Sequence, residues 1–202
     1  MFSLDTLKNV KVEKDPWDHI IIENYIDNKT AITLSKKLQE TFDWKHDEHP
    51  DMKGFVQVAH NVENFEYFNS ENFCKVIVEK FEHILPINYL ATQTNTWHIQ
   101  GASLPAHTDM HCLPNTNKKM NTDYRNCLTW QLYLPDTDQY PQSGVWLHGG
   151  WNDDTNSWEK VKQISCLPGT FFAYINTSKS YHSVPEQNDQ FNRVSHMGRI
   201  YW

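Results

Sequence analysis

The stretch GASLPAHTDMH, residues 101–111, carries a histidine and an aspartate two positions apart, His107 and Asp109. An imidazole nitrogen and a carboxylate oxygen are both ligands for a divalent transition metal. In an extended strand, side chains at i and i+2 point to the same face about 6–7 Å apart, so one strand end can turn both toward a single ion. A helix would need i, i+3 or i, i+4 spacing for the same purpose. Two ligands do not hold a catalytic ion. Unless a third arrives from a distant strand, the pair is only a polar turn.

Several histidines compete to be that third ligand. His111 shares the face of His107 and Asp109, but three ligands on one straight strand cannot wrap an ion. His46 and His49 lie in HDEHPD, a charged, loop-like segment that reads as solvated. His19, His60, His83, His98 and His148 have no acidic neighbour at ligand spacing and read as ordinary strand or surface histidines. His182 stands apart. It follows a Pro-Gly turn, the aromatic strand TFFAYIN and a polar turn, and begins the run His182-Ser183-Val184-Pro185. Two histidines and one carboxylate on one face, with the remaining positions open, form the arrangement associated with non-heme ferrous oxygenases.

Further along come Arg193 and Ser195. If the final strand pairs antiparallel with the strand of His182, both face the interior, deeper than the metal. A guanidinium fork matches a carboxylate bidentately and a hydroxyl adds one more hydrogen bond, which suits a small dicarboxylate. Arg199 competes, because a six-residue offset keeps it on the same strand face. Its distance from His182 and the RxS pairing favour Arg193.

Such a site needs a scaffold that brings strand ends together. From about residue 88, short segments rich in Thr, Val, Tyr, Trp and Phe alternate with Pro, Gly, Asn and Asp. They are LATQTNTWHIQ, LPAHTDMH, CLTWQLYLP, SGVWLHG, KVKQISCLP, TFFAYIN, YHSVP and RVSHMGRIYW. Eight short strands with turn signals between them predict an antiparallel sandwich or jelly-roll barrel. Ahead of them, Thr30 offers an N-cap to a helix with Ile32, Leu34, Leu38 and Phe42 on roughly one side. A second helix is expected from Ser70 toward Ile84, with Phe73, Ile77, Phe81 and Ile84 on its buried face, Glu71 in its first turn and Pro86 closing it. The expected organisation is one domain over 1–202: residues 1–87 as a helical or mixed support region, and 88–202 as a double-stranded β-helix core.

Composition narrows the function classes. The 202 residues are 39% apolar and 13% aromatic with eight Trp, which predicts a packed core. Seven glycines rule out a glycine-rich nucleotide cradle or repeat array. A formal charge of -7 weighs against a broad phosphate-binding surface, so nucleic acid is not an expected partner. MFSLDTLKNVKVEKDPW lacks the apolar run of a secretory signal, and no apolar stretch approaches the roughly 20 residues needed to cross a bilayer. Cys74, Cys112, Cys127 and Cys166 are widely spaced without CxxC and are expected as thiols in a reducing cytosol.

These residues carry a family resemblance. His107-x-Asp109, then His182, then Arg193-x-Ser195 resembles the pattern of the 2-oxoglutarate- and Fe(II)-dependent dioxygenase superfamily, in its prolyl-hydroxylase-like form. WHIQGASLPAHTD is similar to the lead-in before the HxD pair, LTWQLYLPD to the YLN strand, SGVWLHG to the GGxL strand with Ser143 for the first Gly, and LPGTFFAYIN to the strand before the distal histidine. The likeness covers about residues 90 to 202.

The resemblance implies a jelly-roll core in which His107, Asp109 and His182 hold Fe(II) and Arg193, helped by Ser195, pairs with the distal carboxylate of 2-oxoglutarate. Tyr133 is a further implied contact. Trp97 takes the place of a cosubstrate-binding tyrosine and offers no hydroxyl. The implied reaction uses O2, with ascorbate as a reductant, and couples decarboxylation of 2-oxoglutarate to succinate and CO2 with oxidation, most often hydroxylation, of a C–H bond. The substrate stays open between a peptide side chain and a small metabolite. A nucleic-acid base is a third option, favoured by the Arg-x5-Arg spacing of Arg193 and Arg199 and opposed by the acidic composition. Other classes are a non-catalytic ligand-binding barrel and a cupin-like metal protein, though cupins use clustered HxH pairs and none occurs here. Oligomeric state is not legible.

Overall fold

The computed structural model describes residues 2–41, 43–47, 56–59, 65–112, 125–187 and 192–202. Phe42, His49 and His60 lie outside them, and the side chains of His46, His111 and Cys112 are likewise not described.

All eight expected strands form: β4 (Leu90–His98), β5 (Leu104–His107), β6 (Cys127–Tyr133), β7 (Trp146–Asn152), β8 (Ser157–Gln163), β9 (Phe171–Ile175), β10 (His182–Val184) and β11 (Arg193–Tyr201). Three shorter strands precede them, β1 (His19–Ile22), β2 (Lys45–Asp47) and β3 (Val56–Ala59), which the sequence did not announce. They pair as a seven-stranded sheet, β1-β9-β6-β11-β4-β3-β2, and a four-stranded sheet, β5-β10-β7-β8. Every neighbouring pair is antiparallel. Apart from the β7–β8 hairpin, successive core strands alternate between the sheets, and the result is a double-stranded β-helix.

Period-two alternation sorts the large sheet's side chains. Leu128, Trp130 and Leu132 of β6, Phe171 and Ala173 of β9, and Val194 and Ile200 of β11 face outward into the main apolar cluster. Helices α2 (Asn28–Thr41) and α3 (Glu71–Lys80) cover that face through Ala31, Leu38, Phe73, Ile77 and Val78. The alternate residues, Tyr133, Phe172 and Tyr174, face a second cluster between the sheets with Val145, Leu147 and Val184. Because both faces are covered, these strands read as near-continuous apolar runs and not as a clean alternation.

Three expectations about local structure change. Asp27, not Thr30, caps α2: its Oδ1 accepts from the Thr30 backbone N–H (2.9 Å) and its Oδ2 from the Thr30 hydroxyl (2.7 Å). The third helix starts where expected, with Ser70 as its cap accepting from Phe73 N, but ends at Lys80. Glu82 then takes a left-handed conformation (φ 62) that breaks the periodicity, and Ile84 is left 86% exposed. The last strand does not pair with the strand of His182: β10 pairs with β5 and β7, and β11 with β4 and β6. Arg193 and Ser195 face the interior all the same, from the opposite sheet. A further short helix, α1 (Leu4–Asn9), buries Leu7.

Candidate metal centre

His107 and His182 are directly opposed residues of the antiparallel pair β5–β10, and their ring centroids are 4.3 Å apart. Cross-strand neighbours on one face of a sheet are held this close by pairing alone. Asp109 arrives differently from the sequence expectation. β5 ends at His107, and Asp109 opens a 3-10 turn (Asp109–Cys112) that carries its carboxyl across the interior toward the large sheet. One ligand atom from each of the three residues lies within 4.8 Å of the others, and among the described residues no other group of His, Cys, Asp or Glu does this.

The hydrogen bonds determine which atoms these are. His107 donates its Nδ1 proton to Pro105 O (2.9 Å) and His182 its Nδ1 proton to Ser180 O (3.0 Å). Ser180 is held for this by a tight turn with Thr177, each residue bonding the other. Both Nε2 atoms are thereby left as lone-pair donors. They face Asp109 Oδ1 at 3.7 and 4.0 Å. The other carboxylate oxygen, Oδ2, is engaged elsewhere: it accepts from Tyr174 (2.8 Å) and Thr129 (3.2 Å), and Arg199 Nη2 lies 3.5 Å away.

Burial alone would raise the Asp109 carboxyl, but the neighbouring His182, Arg199 and His107 and the Tyr174 hydroxyl outweigh it and hold the carboxyl well below the usual carboxylate range. Burial likewise keeps His182 neutral, its pKa lowered to about 4 against the pull of Asp109. Two imidazole nitrogens and one carboxylate oxygen therefore converge, with His182 and Asp109 buried and unprotonated and His107 at the partly exposed rim. A divalent cation completes such a set, and without one the facing lone pairs are uncompensated.

Deeper in the barrel sits a second polar feature. Arg193 is fully buried. Its Nη1 lies 2.8 Å from His98 Nδ1, its guanidinium lies over the Tyr133 ring at 5.4 Å, and Nε and Nη2 have no hydrogen-bond partner among the described residues. Among the described residues no carboxylate pairs with this buried guanidinium, which so lacks the counter-charge that burial demands. The vacant fork fits the terminal carboxylate of a small dicarboxylate. Ser195 faces the same space and lies between Thr96 Oγ1 (2.9 Å) and Gln131 Nε2 (2.7 Å). The Tyr133 hydroxyl accepts from Val145 N (3.2 Å); burial pushes its pKa up to about 12, with Arg193 pulling the other way.

Two sequence readings change here. His98 is no ordinary strand histidine: it is the cross-strand partner of Arg193, and burial first, then Arg193, holds its pKa well below the usual value. Trp97, one residue earlier, points to the opposite face, where its indole donates to Asn192 Oδ1 (3.2 Å) and packs against Trp44, so it does not line this space. Arg199 is drawn to Asp109, which separates it from Arg193. Tyr174 and Thr129 were not singled out in the sequence. The i, i+2 relation of Phe172 and Tyr174 was a visible signal, but which face it served depended on the pairing of β9.

No protein-family model matches the chain, and no curated protein does. Solved structures do. A Pseudomonas putida prolyl-4-hydroxylase superposes with a TM-score of 0.59 at 11% identity, covering 98% of this chain and 96% of that one. A Trichoplax adhaerens prolyl hydroxylase, solved with a hypoxia inducible factor peptide fragment, gives 0.59 at 16% identity over 98% and 90%. A Burkholderia pseudomallei oxidoreductase of the 2OG-Fe(II) oxygenase family gives 0.56 at 9% identity over 91% and 85%. The chain has the fold of the 2-oxoglutarate/Fe(II) oxygenases. Within that oxygenase fold, a group of His, Asp and His that could hold a metal faces the barrel interior. No helix among the described residues is long and apolar enough to cross a membrane.

Proposed function

We propose that this chain is an Fe(II)- and 2-oxoglutarate-dependent oxygenase that hydroxylates a C–H bond of a peptide or small-molecule substrate. The observation that carries the reading is the convergence of His107 Nε2, Asp109 Oδ1 and His182 Nε2, each histidine tethered through its Nδ1. The unpaired nitrogens of Arg193 deeper in the same barrel support it.

In this reading His107, Asp109 and His182 hold the iron. Arg193, with Ser195 and Tyr133, holds the distal carboxylate of 2-oxoglutarate. When bound, iron with 2-oxoglutarate and O2 supplies the oxidising power, releasing succinate and CO2 as a C–H bond is oxidised. The protein's part is binding and orientation. Pro105 O and Ser180 O set the histidine tautomers, Arg193 fixes one end of the cosubstrate, and the buried walls keep bulk water from competing for the charged groups. Arg199 is committed to Asp109, so anchoring falls to Arg193. Two of the similar structures are prolyl hydroxylases, which makes a prolyl-containing peptide the first substrate to try.

Purified protein given Fe(II), ascorbate and 2-oxoglutarate should release succinate slowly without added substrate, and His182→Ala should abolish it. Arg193→Ala removes the charged partner of a buried carboxylate and should weaken 2-oxoglutarate binding by about 2–5 kcal/mol. Arg193→Lys should recover part of it. If Arg193→Ala binds 2-oxoglutarate as tightly as the wild type, the anchoring role is wrong.

A further inference from the structure

We propose that the Tyr174 hydroxyl, with Thr129, is a positioning group that holds Asp109 in one orientation, so that the carboxylate binds metal through a single oxygen, Oδ1. The inference rests on the Fe(II) reading above and extends it to residues outside the ligand set.

Tyr174 of β9 is the cross-strand partner of Thr129 of β6, and both side chains turn into the barrel. The Tyr174 ring is set by Trp17 on one side (centroids 5.2 Å) and Phe172 on another (5.2 Å), so the direction of its hydroxyl is fixed before any metal binds. A phenol has one proton. Here it goes to the carboxylate, Asp109 Oδ2 at 2.8 Å, while the phenol oxygen lies 3.2 Å from the unprotonated His182 Nε2.

Thr129 is oriented in the same sense. Asn176 Nδ2 donates to Thr129 Oγ1 (2.8 Å), which occupies a threonine lone pair and leaves its proton for Asp109 Oδ2 (3.2 Å). Asn176 is itself tied down by its backbone N–H to Cys127 O (2.8 Å). Donation therefore runs one way, from Asn176 to Thr129 to Asp109, and meets a second donor from Tyr174 at the same oxygen. Arg199 adds charge there at 3.5 Å. Among the described residues, Oδ1 accepts no hydrogen bond and faces the two histidines.

A carboxylate that rotated to chelate with both oxygens would have to break these bonds where water does not replace them, since Asp109 is only 4% exposed. Outer hydrogen bonds to metal-ligating carboxylates orient the ligand and tune its affinity. Single-oxygen binding leaves one more coordination position open than chelation does.

The test uses Co(II) alone as a spectroscopic stand-in, titrated into the intact, metal-free chain. Visible absorption per bound Co(II) falls as coordination number rises, so affinity and geometry are read together. Tyr174→Phe is expected to bind Co(II) about 10–100-fold more weakly and with weaker absorption per ion, as the freed carboxylate chelates. Thr129→Val should shift both readouts the same way by less, and Thr129→Ser, which keeps the hydroxyl, should stay within about threefold of wild type. Should Tyr174→Phe fail to fold by circular dichroism, Thr129→Val against Thr129→Ser decides on the same two readouts. A folded Tyr174→Phe that equals wild type in affinity and absorption overturns the positioning role and leaves the metal reading standing. Equal Co(II) binding by wild type and His182→Ala overturns the metal reading and the positioning role with it.

Discussion

Three buried histidines, His98, His182 and His196, give this molecule a specific weakness to acid. His196 lies against the Phe65 ring at 3.9 Å, donates to Asn95 Oδ1 (2.8 Å) and sits 2.8 Å from the Gln93 amide; burial lowers its pKa to about 3. His182 is lowered to about 4, and His98 also falls well below its ordinary value. In the unfolded chain each titrates near about 6.5, so below that pH the unfolded state binds protons that the folded state refuses. Stability is thus at its plateau above about pH 6.5 and falls as the pH drops toward the folded values, by about 1.4 kcal/mol per pH unit for each such histidine. Asp109 acts in the same direction in a lower window, below about pH 4. The urea midpoint should therefore drop between pH 7 and pH 5, and His196→Gln should flatten the slope; an unchanged midpoint over that interval would contradict the burial of these rings. At this scale the gathering of His107, Asp109 and His182 was legible, because the i, i+2 pair needed a third group from a distant strand and His182 had the setting for it. Tyr174 and Thr129 were not. A hydroxyl becomes informative only when one knows which strands stack across the barrel, and that is not local information.

Turns and strand edges decide the element scale. Leu167-Pro168-Gly169-Thr170 closes with Thr170 N donating to Leu167 O (3.1 Å), and Gly169 takes φ 83. Proline second and a glycine of positive φ third make a type II turn. A Cβ on Gly169 would also stand 2.1 Å from Ile26 O, so this turn is where β9 is locked against the N-terminal region. Gly169→Ala combines left-handed strain with that collision and should cost at least about 1–3 kcal/mol, a fall in Tm of several degrees at about 2–4 °C per kcal/mol. A thermal melt within one degree of wild type would refute the close approach. The eight core strands were readable since they are bounded by turn residues and most are rich in β-branched and aromatic side chains. β1 to β3 were not. They are three or four residues long, lie toward the sheet's edges, and acquire strand character from the neighbours they pair with. The end of α3 was misread for a related reason: apolar spacing continued to Ile84, but the left-handed Glu82 had already turned the chain outward.

Across the whole molecule, the division of labour between the two sheets is what makes the site. The small sheet supplies both histidines from one cross-strand pair, and the large sheet supplies Tyr174, Thr129 and Arg199 around the aspartate and the buried Arg193. Sequence order hid this, since β10 and β11 are consecutive yet belong to opposite sheets. A jelly roll achieves convergence by passing the chain back and forth between two facing sheets, so residues distant along the chain face each other by topology. Their grip on one ion is the claim from which the rest follows. Anaerobic equilibrium dialysis of the metal-free chain against Fe(II), with His107→Ala, Asp109→Ala and His182→Ala in parallel, tests it most directly. One ion per wild-type chain is expected, with each substitution weakening it about 100-fold or more. Wild-type binding that survives all three substitutions, or no binding at all, would contradict the account.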